Sequence, residues 1–277
     1  MSNFWQRAIT GTIFVAVLVG AIVMGGWYMH VLFGIIVFLG LIEFYALFKN
    51  TESKPQIYTG AMMGIVIYTS GILSWYIGNP AGTILLLFSL CALVLTGTLE
   101  LFRNTAKPFE NVAITVGGIL YIVLPFVLLN LLSVSFDLFV AETDYWPVLS
   151  VFILIWCNDT FAYLTGRLIG KHKLFERISP KKTWEGFIGG IVFAVAAGII
   201  LAYFLEWSYP KMITYGIVVG VIGTAGDLVE SMLKRSVGVK DSGTILPGHG
   251  GILDRFDAVL FVVPVIFFLE KFIFVNI

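Results

Sequence analysis

The chain has 277 residues, of which 58% are apolar and 12% charged, with a mean hydropathy of +0.95; soluble domains run at roughly 45–50% apolar and about 25% charged. It reads as an all-α polytopic membrane protein set in a lipid bilayer, with no length left for a large soluble domain. The 17 basic residues balance 17 acidic ones, which argues against a nucleic-acid partner, because a protein that covers a nucleic-acid backbone carries a surplus of positive charge. Cys91 and Cys157 both lie in apolar runs and supply neither a disulfide framework nor a metal site.

A membrane-crossing helix needs about 20 mostly apolar residues. Nine such runs occur, at 8–24, 27–48, 58–77, 81–102, 112–132, 146–168, 186–206, 211–230 and 256–275. The first follows Arg7 and has no small-x-small cleavage site, so it is taken as an uncleaved helix. Residues 1–145 then form an N-terminal part of about five spans, and residues 146–277 a C-terminal part that carries most of the unusual polar groups. Basic residues near span ends stay on the cytoplasmic side. With the N-terminus inside and nine crossings, fifteen of the 17 lysines and arginines fall there and only Lys211 and Lys271 fall outside. The stretch Ser133 to Tyr145, acidic at Asp137, Glu142 and Asp144 and free of basic residues, also falls outside. This predicts a multi-pass protein of the cell membrane with its C-terminus outside.

Charged groups inside spans are costly, about 2.5 to 3.5 kcal/mol each at a helix centre, and so need a partner or a wet cavity. Glu43 and Glu100 lie near the cytoplasmic ends of their helices, where they can reach the interface or Lys49 and Arg103. On the sixth span Asn158 and Asp159 interrupt an apolar helix, and Asp159, Tyr163 and Arg167 recur at intervals of four, on one face. On the eighth, Asp227, Glu230, Ser231 and Lys234 share one stripe, with Arg235 following. The next loop carries Lys240 and Asp241, then Gly248, His249, Gly250 and Gly251, whose amides suit close approach to phosphate; Asp254, Arg255 and Asp257 open the ninth span. Upstream, Ser179, Lys181 and Lys182 precede Thr183, a candidate cap for the seventh span. The stretch Arg167 to Glu185 reads as a long polar loop.

These groups define a cytoplasm-facing basin. Carboxylates without histidine or cysteine partners select a hard cation, magnesium first, and the surrounding cations select phosphates. A P-loop is absent: at Gly166 to Lys171 the glycines are one residue too close, and His172 stands where Ser or Thr is required.

From Ser231 to Asp257 the pattern S-x-x-K-R-x4-K-D-x5-P-G-H-G-G-x-x-D-R-x-D resembles the C-terminal signature of the phosphatidate cytidylyltransferases, and the likeness extends to Asn158, Asp159, Tyr163 and Gly166 and to Ser179 through Gly186. The resemblance implies transfer of a cytidylyl group from CTP to phosphatidate with magnesium, room for a second cation of unspecified identity, and a homodimer. Asp227, Asp254 and Asp257 are nominated as metal ligands, with Ser231 completing the shell. Lys181, Lys182, Lys234, Arg235 and Lys240 are nominated for triphosphate or lipid phosphate, and the amides around His249 for phosphate oxygens. His249 itself is a candidate proton donor to pyrophosphate or a supporting hydrogen-bonding group. The alternatives are an enzyme that activates another lipid phosphate or alcohol with CTP, and a transporter with ion-binding carboxylates. A transporter would place polar groups through the full membrane thickness, whereas here they gather in one half.

Overall fold

The computed structural model describes residues 3–78, 80–91, 93–133, 144–243, 245 and 250–274, with the backbone alone for 3–7. Gly248 and His249, and the acidic Asp137 and Glu142, lie outside the described residues.

Each apolar run overlies a helix. In chain order these are α1 (Asn3–Met24), α2 (Gly26–Ala46), α3 (Ile57–Ile77), α4 (Ala81–Cys91), α5 (Leu93–Glu100), α6 (Pro108–Leu132), α7 (Trp146–Ile169), α8 (Trp184–Leu205), α9 (Tyr209–Val218), α10 (Thr224–Ser236) and α11 (Leu253–Phe268). A π-helical turn, Val219–Gly223, joins α9 to α10 in one continuous rod, and another, Leu269–Ile273, extends α11. Among the described residues seven helical segments are long and apolar enough to cross a membrane, with α4 and α5 together counted as one. The punctuation is local chemistry. Gly25, at φ 63°, separates α1 from α2, a conformation other residues adopt at a cost. Prolines stand in the first turns of α6, α7 and α9, where the missing amide hydrogen costs nothing.

The stretch expected to be a long polar loop contains a small antiparallel hairpin, β1 (Lys173–Phe175) and β2 (Ser179–Thr183), with Lys173 opposite Thr183 and Phe175 opposite Ser179. A strand pair this short leaves no usable alternation in the sequence, so its polar composition masked it.

The chain divides into two compact units: Met1–Thr143 with Val237–Arg255, and Asp144–Ser236 with Phe256–Ile277. Val237–Arg255 groups with the N-terminal helices. In the first unit α2, α3 and α6 pack on one another around Phe33, Leu41, Tyr45, Tyr68, Ile122 and Phe126, all fully buried. A polar cluster closes each end. At one, Asn130 Oδ1 lies 2.6 Å from His30 Nδ1, and the Tyr76 hydroxyl lies 2.9 Å from His30 Nε2. At the other, Glu100 accepts from Arg103 at 2.7 Å, one of the two settings expected for it, but it is buried and not interfacial, accepting also from Thr105, Asn111 and Gln56 at 2.7–2.8 Å.

In the second unit α8 packs between α7 and α9. Its buried residues are Gly186, Gly190, Ala194, Gly198 and Ala202, a small residue at every fourth position. A methyl group on Gly198 would come within 2.5 Å of the Met212 carbonyl oxygen, and one on Gly216 within 2.7 Å of the Val195 backbone. Small residues allow such backbone approach, which supplies the van der Waals packing that holds helices together in lipid. Lys211, one of the two basic residues assigned outside, is ion-paired with Glu270 at 2.8 Å.

Candidate functional site

Within the second unit the polar stripe of α10 forms as its spacing predicts. Ser231 Oγ donates to Asp227 Oδ1 at 3.3 Å, and Lys234 Nζ meets Glu230 Oε1 at 3.0 Å, both pairs one helical turn apart. Glu230 is fully buried, and Lys234 is buried beside it. An ion pair so placed is tolerated because each charge has the other as its partner. Gly226 brings α10 against α11: a Cβ there would lie 2.8 Å from the Asp257 carbonyl oxygen and 2.9 Å from the Phe261 ring. That approach sets Asp257 within electrostatic reach of Asp227, Glu230 and Asp159. Asp257 thus feels three other carboxylates at a distance, and such a neighbourhood calls for positive charge.

Part of it comes from the hairpin. Lys182, near the end of β2, is ion-paired with Asp227. Thr183, the next residue, caps α8 as the sequence suggests, its Oγ1 accepting from the Gly186 amide at 3.2 Å. The cap fixes where β2 stops and therefore where Lys182 projects. Glu185, in the first turn of α8, accepts from the amides of Lys171 at 3.1 Å and His172 at 3.2 Å and from His172 Nδ1 at 2.6 Å. It ties the turn before β1 to the start of α8. The only sequence signal for this role of Glu185 is an acidic residue in a helix's first turn.

On α7, Asn158 is buried and Asp159 exposed, with Asn158 Nδ2 donating to Asp159 Oδ1 at 3.2 Å. Among the described residues Asn158 Oδ1 has no hydrogen-bond partner, and it faces Gly190, where a Cβ would lie 2.6 Å away. Arg167 donates to the Tyr163 hydroxyl at 3.4 Å on the same exposed face. Ser179 is half-buried in β2, while Lys181 and Arg235 are exposed.

The first unit holds the remaining candidates. Lys240, Asp241 and Arg255 are exposed. Asp254 Oδ2 accepts from the amides of Ser242 at 3.1 Å and Gly251 at 2.9 Å. Gly250, at φ +85°, leaves room for that carboxylate, since a Cβ there would lie 2.9 Å from Oδ2. The expectation that the glycine amides present themselves to phosphate is therefore corrected at Gly251, whose amide is capped by Asp254. Glu43 departs further from expectation. Instead of reaching the interface or Lys49 it is buried, and its Oε2 accepts from the Leu253 amide at 3.0 Å and from Ser242 Oγ at 3.3 Å.

The donor set of the second unit fits magnesium in kind: the carboxylates of Asp227 and Asp257 and the hydroxyl of Ser231 are hard oxygen ligands. Among the described residues no three acidic, histidine or cysteine side chains converge on one point.

A family model described as the cytidylyltransferase family matches residues 5–273. A phosphatidate cytidylyltransferase of Synechocystis sp. is 30% identical, with 95% of each chain covered. Proteins of that name from Staphylococcus haemolyticus and Staphylococcus aureus (strain COL) are each 50% identical over 121 residues, 43% of this chain and 46% of theirs. Against these two the chain spans about half of the relative's length.

Proposed function

Because the chain belongs to the cytidylyltransferase family, we propose that it transfers the cytidylyl group of CTP to phosphatidate, forming CDP-diacylglycerol and releasing pyrophosphate. The observation that carries this reading is the Lys182–Asp227 ion pair beside Asp257 and the Glu230–Lys234 pair: alternating charge, concentrated in a chain that is otherwise apolar, suits a metal-bound polyphosphate meeting a lipid. The relatives' printed name supports the choice of acceptor.

Phosphate monoesters have a second pKa near ~6, so phosphatidate is largely dianionic at neutral pH and attacks without a protein base. Its oxygen forms a bond to the α-phosphorus of CTP as the bond to the bridging oxygen of the β-phosphate breaks, and pyrophosphate departs with that electron pair. The protein's work is to align the reactants and to offset charge on the leaving group. Asp227 and Asp257, with Ser231, would hold magnesium; the sequence pattern nominates Asp254 as well. Bound there, the ion would neutralise the triphosphate. Lys182 keeps Asp227 in place before substrate arrives and turns to phosphate afterwards. Lys181, Arg235 and Lys240 draw in the anionic substrates.

The same reading places the protein in the cell membrane with nine crossings, the N-terminus and the active site cytoplasmic and the C-terminus outside. Family resemblance alone supports a homodimer. The test is pyrophosphate release by the purified protein, with CTP and a panel of lipid phosphates. Release with phosphatidate, abolished by chelation of magnesium, supports the proposal. Absence of CTP-dependent release, or faster release with another lipid phosphate, overturns it.

A further inference from the structure

We infer that Glu43, on α2, is a positioning residue that fixes the two ends of the glycine-rich segment preceding α11. The inference rests on the proposed activity for its kinetic consequence and on geometry alone for its structural one. Glu43 is 4% exposed and lies 199 and 210 residues from its partners Ser242 and Leu253. Its Oε2 accepts from the hydroxyl of one and the amide of the other, at 3.3 and 3.0 Å, so one carboxylate oxygen ties the start of the segment to its end.

The glycines around it explain why this segment is built as it is. A Cβ on Gly243 would come within 2.4 Å of Glu43 Oε1 and 2.7 Å of its Cδ; one on Gly251 would lie 2.5 Å from Oε2 and 2.0 Å from Ser242 Oγ. Both glycines are cut to admit the Glu43 side chain. Asp254 works from the other side, taking the Ser242 and Gly251 amides on its own Oδ2. Ser242 is thus gripped twice, by its hydroxyl from Glu43 and by its amide from Asp254. A buried carboxylate costs several kcal/mol to desolvate unless donors repay it, so its retention inside an apolar helix, aimed at a loop, marks a function in holding that loop. Through Asp254, Glu43 orients a residue that the proposed function uses, while itself touching no reacting atom.

The experiment compares wild type with Glu43→Ala, Gly243→Ala and Ser242→Ala in purified full-length protein, using hydrogen exchange at the Gly251 and Leu253 amides and steady-state kinetics with CTP. Glu43→Ala is expected to speed exchange of both amides by at least about tenfold, as local opening frees them, while residues 29–41 of α2 keep their protection. Its kcat/KM should fall by at least about tenfold, since small displacements of a positioned group are costly. Gly243→Ala, which crowds Glu43 from the loop side, should reproduce both effects, and Ser242→Ala should show them in weaker form. Unchanged exchange at the two amides in Glu43→Ala and Gly243→Ala overturns the inference. So does acceleration spread evenly through α2, which would make Glu43 a general packing residue. If Glu43→Ala does not fold, Gly243→Ala and Ser242→Ala decide alone. A wild-type protein without CTP-dependent activity would overturn the proposed function and leave the exchange result standing.

Discussion

Lys182 on the β2 strand and Asp227 on α10 are ion-paired, although 45 residues and two helices of sequence separate them. Sequence spacing presents Lys182 as a twin of Lys181, both poised for phosphate. The structure gives them different surroundings: Lys182 is half-buried against a carboxylate, and Lys181 is exposed. Lys182→Gln should therefore lower kcat/KM for CTP by the equivalent of about 1.5–3 kcal/mol, the worth of a hydrogen bond to a charged group, and Lys181→Gln by less. The sign for magnesium is the opposite. If Asp227 holds magnesium as proposed, the Lys182 ammonium would compete with the ion for it, so Lys182→Gln should reach half-maximal rate at a lower magnesium concentration. A magnesium titration of the two variants checks both statements, and an unchanged or higher requirement in Lys182→Gln would count against the competition.

Asp227→Asn and Asp257→Asn retain side-chain size but lose the anionic ligand that magnesium prefers. Each should turn over at least about a hundredfold more slowly, equivalent to roughly 2.7 kcal/mol, and the double variant should be little worse than either single one, because the pair acts as a unit. Asp254→Asn should also be slow, here with faster exchange at the Ser242 and Gly251 amides. Near-normal rates for Asp227→Asn and Asp257→Asn at limiting magnesium would make these aspartates structural.

The buried Glu230–Lys234 pair should show the asymmetry of its kind. Removing one partner leaves an uncompensated buried charge and costs about 3–5 kcal/mol. Lys234→Met should therefore lower the thermal midpoint sharply in detergent, and Glu230→Gln combined with Lys234→Met should recover much of the loss without recovering activity. A double variant no more stable than Lys234→Met would contradict this account.

Topology offers an independent check. Reporter domains fused after Asn50 and after Ile277 should show opposite sidedness, the first cytoplasmic. The same side for both would reject nine crossings.

What the sequence revealed was chiefly what repeats along one helix. The stripe from Asp227 to Lys234, the Thr183 cap and the Glu100–Arg103 pair all follow from spacings of three or four residues, and all are present. The family signature likewise drew attention to Ser231 through Asp257. Pairings across long separations were invisible, because periodicity says which face a residue occupies and nothing about what faces it. Glu43 looked interfacial for that reason, its partners lying beyond residue 240. His30 and Asn130, 100 residues apart, gave no local signal at all. The glycines at 250 and 251 stand out in the sequence, but whether the Gly251 amide faces a phosphate or a carboxylate depends on Asp254 folding back onto it.

The fourfold ladder of small residues on α8 sets the rule by which that helix accepts change. In a lipid-embedded segment Gly190→Leu raises hydropathy and helix propensity together, so any profile drawn from the sequence scores it as an improvement. Yet a single Cβ at Gly190 already falls 2.6 Å from Asn158 Oδ1 and 3.0 Å from the Ala162 methyl, and a larger side chain would wedge α7 away from α8. Volume, with polarity secondary, is what this face discriminates. Serine should be the gentlest replacement for alanine at position 194 or 202, while isoleucine, abundant on the opposite side of the same helix at Ile188 and Ile200, should be among the harshest.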